Sequence, residues 1–213
     1  MNATITAANR LTPQEVLDDV AVTVLLDGSS SMDVIESATR AAANDYIAEL
    51  QSGTAVTFSL ACFADTVRWA IAGSPIDSVK PLTHADYSAY GNTALYDALG
   101  EAIERVEAMN VPPVHPVIAI FTDGDDTFSH RYTAALLKPM IEERRERGWR
   151  FIAFVAGDSA AKATGEVGIL PADTAPYAGD AKSTKAVFKR LAASTKRLVE
   201  AVETKALPPA TFL

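Results

Sequence analysis

A chain of 213 residues with 48% hydrophobic and 22% charged residues has the makeup of a globular protein, and its length suits one α/β domain. Nineteen basic side chains against 27 acidic ones leave a formal charge of −8, which disfavours nonspecific attachment to nucleic acid or to an anionic membrane. The single cysteine, Cys62, cannot form an internal disulfide and favours a reducing, cytoplasmic setting, and no apolar run approaches the roughly 20 residues that span a bilayer.

The first residues, MNATITAANRLTPQ, lack the apolar core of a secretory signal. Residues 1–15 read as an extension ahead of one domain over 16–205. Residues 20–26 form a continuous apolar run, as expected of a strand buried on both faces in mid-sheet. It runs into Asp27, Ser29 and Ser31, one carboxylate and two hydroxyls at alternating positions. After Met32, the apolar positions Val34, Ala38, Ala41, Ala42, Ile47 and Leu50 recur at helical spacing until Gly53. Residues 55–63 and 67–72 are β-branched and aromatic, and the short Ala64-Asp65-Thr66 link between them predicts a tight hairpin, so one strand is antiparallel. Cys62 falls inside this pattern as a small core residue.

A polar stretch containing Pro75, Pro81, Gly91 and Asn92 is long enough to be a functional loop. Leu95, Ala98, Leu99, Ala102, Ile103, Val106 and Met109 then predict an amphipathic helix whose first turn begins just after Thr93. Residues 116–122 are a second buried strand, ending at Asp123. Tyr132, Ala135, Leu136 and Met140 predict a third helix, which Pro139 should bend or interrupt. The strand WRFIAFVAG, a short helix over 159–165 and a long helix over 184–205 follow, the last with Val187, Leu191, Leu198 and Val202 inward. The tail over 206–213, ALPPATFL, is not helical.

Strands alternating with helices imply a three-layer, doubly wound and mostly parallel sheet covered on both faces. If the strand order is 3-2-1-4-5-6, right-handed crossovers make the first strand and the 116–122 strand neighbours where chain order reverses. Ligands bind at the carboxyl ends there, and Asp27 and Asp123 both lie at those ends. Oxygen ligands with few formal charges suit Mg²⁺, which keeps several waters, better than Zn²⁺. Thr93 can complete such a set. Taken alone, Ser29-Ser30-Ser31 reads more readily as a helix-capping loop, Thr93 as a helix cap and Asp123 as a turn residue.

Enzymatic patterns do not close on these residues. A Ser29 or Ser30 nucleophile would need a base, for which His130 is the one candidate, and no G-x-S-x-G elbow exists because Met32 stands at the second glycine. His84, His115 and Cys62 lack zinc spacing, and no phosphate-binding glycine motif is present.

The order D-x-S-x-S, then a threonine before a helix, then a strand ending in T-D-G, resembles the metal-ion-dependent adhesion site of von Willebrand factor A domains, especially stand-alone bacterial and phage members. The likeness extends over VTVLLDGSSSM, VTFSLACFADTVRWAIAGSPI, YGNTALYDALGEAI, VIAIFTDGDDTFSHRYT and GWRFIAFVAGD. The resemblance implies a Rossmann-like fold and the metal ligands Asp27, Ser29, Ser31, Thr93 and Asp123. The commoner pattern is D-x-S-G-S, so Ser30 is a departure where glycine, with its wider backbone freedom, is usual.

The implied function is protein recognition through Mg²⁺, with Mn²⁺ or Ca²⁺ as alternatives: a partner's Asp or Glu completes the coordination shell. Loops after residues 31, 85, 124 and 157 should form the rim, with Tyr87, Tyr90 and Phe128 as candidate aromatic anchors and buried packing as the alternative for Tyr90. Asp125 and Asp126 read as a solvated acidic loop and not as direct ligands, with Asp125 on the rim. Relatives of this kind point to an AAA+ ATPase or an assembly component as partner. The alternative is a structural component of a phage or cellular assembly whose metal site is vestigial.

Overall fold

The computed structural model describes residues 20–109, 115–206 and 212–213. The extension over 1–15 and most of the tail over 206–213 lie outside the described residues. Six strands, β1 (Val20–Asp27), β2 (Val56–Phe63), β3 (Val67–Pro75), β4 (His115–Thr122), β5 (Arg150–Val155) and β6 (Thr174–Pro176), form one sheet in the order β3-β2-β1-β4-β5-β6. Among the described residues, only the β2–β3 pair is antiparallel. Every residue of β1 is buried. Such a strand needs apolar side chains on both faces, which is why it reads as an unbroken run.

Five α-helices cover the sheet: α1 (Glu36–Gln51), α2 (Leu95–Glu107), α3 (Ala134–Glu146), α4 (Asp158–Glu166) and α5 (Ala181–Glu203). Alternating β1 side chains divide the core into two layers. Val22, Val24 and Leu26 face α1 and α5, where Phe121 stacks between Phe154 and Phe188 at centroid distances of 4.6 and 4.0 Å. Leu25 faces the layer built with α2, α3 and α4. Burying each such side chain contributes roughly 1.5–3 kcal/mol.

The structure departs from the sequence reading at several places. Residues 30–35 form two turns of 3₁₀ helix before α1 begins. That segment changes the helical phase, so Val34 is 91% exposed and Ala41 is exposed, while Thr39, Ala42, Ala43, Tyr46, Ile47 and Leu50 are the inward residues. In α3 the start at Ala134, capped by Thr133, turns Leu137 and Ile141 inward and leaves Leu136 55% exposed. The helix continues through Pro139 without interruption. Tyr132 precedes the helix and lies so close over Gly100 that a Cβ there would meet its ring at 2.4 Å. Edge strand β6 has only three residues, too few to leave a periodic signal. At the chain end, Phe212 is buried against the α1–α5 layer.

Candidate metal centre

The centre lies where β1 and β4 end side by side. Their parallel pairing matches Leu26 with Phe121, which carries both chains out of the sheet at the same level, and the next residues are Asp27 and Thr122. Asp27 is fully buried. Its Oδ1 accepts the Ser29 N–H at 2.8 Å and its Oδ2 accepts the Thr122 hydroxyl at 2.6 Å. The loop then turns so that Ser29 Oγ and Ser31 Oγ stand 3.1 Å apart, and the Ser31 hydroxyl donates to Asp123 Oδ1 at 2.7 Å. Thr93 is almost buried, and a Cβ on Gly124 would lie 3.6 Å from its Oγ1. Its side chain therefore faces the turn that carries Asp123. Its backbone N–H and carbonyl are both engaged by residues 127 and 128.

These segments are cross-braced. Gly28 donates to the Phe63 carbonyl at 2.7 Å and accepts from Tyr90 N–H at 2.7 Å. A Cβ at Gly28 would strike Cys62 Sγ at 2.4 Å and the Ser88 carbonyl at 2.9 Å, so only glycine fits. Ser30 donates through both its N–H and its hydroxyl to the Gly91 carbonyl, at 3.1 and 3.0 Å. Ser30 does not adopt a positive φ, so serine at the usual glycine position carries no backbone strain and adds a hydrogen bond. Asp65 holds Asn92 through its N–H and its side-chain amide, at 2.8 and 2.9 Å.

The rim residues separate into two groups. Tyr87 is not a rim anchor: it is completely buried, and its hydroxyl donates to the Asp27 carbonyl at 2.7 Å. The chain turns outward between the two tyrosines, and Tyr90 is the exposed one, at 47%. Phe128 is half-buried and packs edge-on to His130 at 4.8 Å, and Asp125 is exposed. Sequence reasoning missed Thr122 and Tyr87 as supports of Asp27. Thr122 stands beside Asp123 in the T-D-G motif, but its contact with Asp27 spans 95 positions.

The donor set fits a hard divalent cation. Burial, more than any other cause, pushes the Asp27 carboxyl above its ordinary range; hydrogen bonds from Ser29 and Thr122 oppose that shift, and the Asp123 charge adds to it. A bound cation would relieve this unfavourable pairing. At metal–oxygen distances of about 2.1 Å, adjacent corners of an octahedron lie roughly 3 Å apart, and the Ser29–Ser31 separation matches that edge. Among the described residues no three His, Cys, Asp or Glu side chains converge, so the centre draws on neutral hydroxyl oxygens beside two carboxylates. The neighbouring thiol of Cys62 is buried and pushed up to about 11, chiefly by desolvation, so it is a packing group.

No protein-family model and no curated protein matches the chain. Solved structures do. The von Willebrand factor type A structure from Catenulispora acidiphila aligns with a TM-score of 0.60 at 15% identity, over 84% of this chain and 43% of that one. Proximal thread matrix protein 1 from the mussel byssus, with a zinc-occupied MIDAS motif, aligns at 0.59 and 16%, over 83% of this chain and 46% of that one. The PilB minor pilin from Streptococcus sanguinis aligns at 0.59 and 14%, over 84% and 61%. This chain thus spans less than two thirds of the length of each. At such identities the likeness is one of fold, and function must be argued from the site.

Proposed function

From a von Willebrand factor A fold with this oxygen-lined centre at the carboxyl edge of its sheet, we propose that the chain is a metal-dependent protein-recognition module. Asp27, Ser29, Ser31, Thr93 and Asp123 would hold Mg²⁺, or Mn²⁺ or Ca²⁺ in its place. The observation that carries this reading is the Ser31–Asp123 hydrogen bond at 2.7 Å, which joins two of the candidate ligands across 92 positions. When bound, the cation supplies an underneutralised, exchangeable position for a partner's Asp or Glu carboxylate. The chain's own work is positional. Asp27 anchors the first loop from a buried junction, the serine hydroxyls present neutral oxygens, and Tyr90, Phe128 and Asp125 form the rim.

A partner carboxylate needs both the cation and an accessible rim, and the exposed Tyr90 offers apolar contact beside the site. An AAA+ ATPase or an assembly component is the partner class proposed. The module is read as non-enzymatic, because Ser29 Oγ meets another serine and His130 is exposed beside Phe128. Affinity capture with the immobilised chain tests the proposal. Capture of a partner in Mg²⁺ should be lost in chelator, restored by added Mg²⁺ and absent for Asp123→Ala.

The second reading, a structural assembly component with a vestigial metal site, draws on two of the solved neighbours, a byssal thread matrix protein and a minor pilin. It expects capture that chelator leaves unchanged.

A further inference from the structure

We propose that Asp97 is a positioning residue of this metal centre: it locks the segment carrying Thr93 to the loop carrying Asp123, so that the two candidate ligands move as one body. The inference rests on the metal-site reading above and adds a residue that no ligand motif includes.

The start of α2 poses a specific problem. The first N–H groups of a helix have no intrahelical partner, and Ala94, at the cap position, has no side chain to satisfy them. The loop after β4 supplies the acceptors instead. Tyr96 N–H donates to Asp126 Oδ1 at 3.1 Å, and Asp97 N–H donates to Ser129 Oγ at 2.9 Å. Ser129 in turn donates to Asp126 Oδ1 at 2.6 Å.

Asp97 returns the exchange. Its Oδ2 accepts the His130 N–H at 2.9 Å, and its Oδ1 accepts the N–H groups of Arg131 and Tyr132, each at 2.9 Å. A carboxylate in the first turn of a helix is favoured by the helix dipole alone, but that role would not direct both oxygens into another loop. Closer to the site, the Thr93 carbonyl accepts from Thr127 and Phe128 at 2.9 and 3.1 Å, while Thr93 N–H donates to Thr127 Oγ1 at 3.1 Å. The backbone of Thr93 is therefore stitched to the same loop whose far end Asp97 holds. A shift of Thr93 relative to Thr127 and Phe128, four and five residues after Asp123, would break these bonds.

The test uses the full chain and Mn²⁺ as probe, with wild type, Asp97→Ala, Asp97→Asn, Thr93→Ala and the Asp97→Ala/Thr93→Ala double variant. Calorimetric titration gives metal affinity, thermal melting gives stability, and amide hydrogen exchange on the metal-free protein reports the coupling. Supporting partners of metal ligands typically affect affinity by about 10–100-fold, and a loss of that order is expected for Asp97→Ala. Exchange should accelerate together at Thr93 and over residues 126–132. Asp97→Asn, which keeps one acceptor oxygen, should retain part of the affinity and serves if Asp97→Ala does not fold. The effect of Asp97→Ala should shrink in the Thr93→Ala background. Wild-type binding with affinity in Asp97→Ala unchanged within about twofold, whatever the melting point, would overturn the role of Asp97 alone. Absence of Mn²⁺ binding by the wild type would overturn the metal-site reading and this role with it.

Discussion

The Thr122 hydroxyl donates to Asp27 Oδ2 at 2.6 Å inside a buried junction between the ends of β1 and β4. Because Asp27 also accepts the Ser29 N–H, its carboxylate is a structural acceptor as well as a candidate ligand. Asp123 is only partly buried, and the Ser31 hydroxyl it accepts is an exposed donor that water can satisfy. Asp27→Ala should therefore abolish metal binding and destabilise the fold by about 1–3 kcal/mol, the cost of stranding buried donors. Asp123→Ala should weaken metal binding with little change in stability. Chemical denaturation and Mn²⁺ titration of both variants check this, and equal stability losses would contradict it.

Tyr87 and Tyr90 should separate in the same way. Tyr87→Phe removes a buried hydroxyl that donates to the Asp27 carbonyl and should cost about 1 kcal/mol of stability. Tyr90→Ala, at an exposed position, should leave stability within about 0.5 kcal/mol and weaken partner capture. Melting curves together with affinity capture distinguish the two.

Thr93→Ala removes the hydroxyl while the backbone bonds to Thr127 and Phe128 remain. The fold should be unaffected. Metal affinity should fall at least as far as it does for Asp97→Ala, and partner affinity further still, because the remaining four candidate ligands hold a hydrated ion in altered geometry. Titrating Mg²⁺ and the captured partner against this variant measures both losses; equal losses would make Thr93 an ordinary structural ligand.

Glu36 ties the start of α1 to the loop before Thr93. Its carboxylate accepts the Ala89 N–H at 3.1 Å and the Arg40 guanidinium at 2.8 Å, with His84 Nδ1 2.9 Å away. The Ala89 bond first, then Arg40, hold its carboxyl below the ordinary value of 4.5. With the folded value below the unfolded one, the unfolded chain binds more protons in this window, so stability rises with pH across it. The contribution is complete above the ordinary value and is lost as pH falls through the depressed one. Melting temperatures from pH 6 to pH 3 should fall more steeply for wild type than for Glu36→Gln. Parallel curves would refute this.

Local sequence carried the architecture because its signals are local. The unbroken apolar runs ending at Asp27 and Asp123 marked two strands buried on both faces, and the parallel pairing of β1 with β4 then followed from connection rules. The hydroxyls of Ser29 and Ser31 were legible for the same reason, since they follow a strand end within four residues. Burial at the rim was not legible. Tyr87 and Tyr90 stand three positions apart in one loop, and only the packing of that loop under Gly28 sends one inside and leaves the other in solvent. Val34 lies outside because a short 3₁₀ helix shifts the helical phase, which apolar spacing averaged over a whole helix does not register. Strand β6 exists through its pairing with β5, since its three residues are too few for any periodicity to show. The brace from Asp97 to residues 130–132 joins side-chain oxygens to backbone N–H groups, and every residue has such a backbone. Its partners could therefore be chosen only once the tertiary fold had brought the start of α2 against the loop after β4.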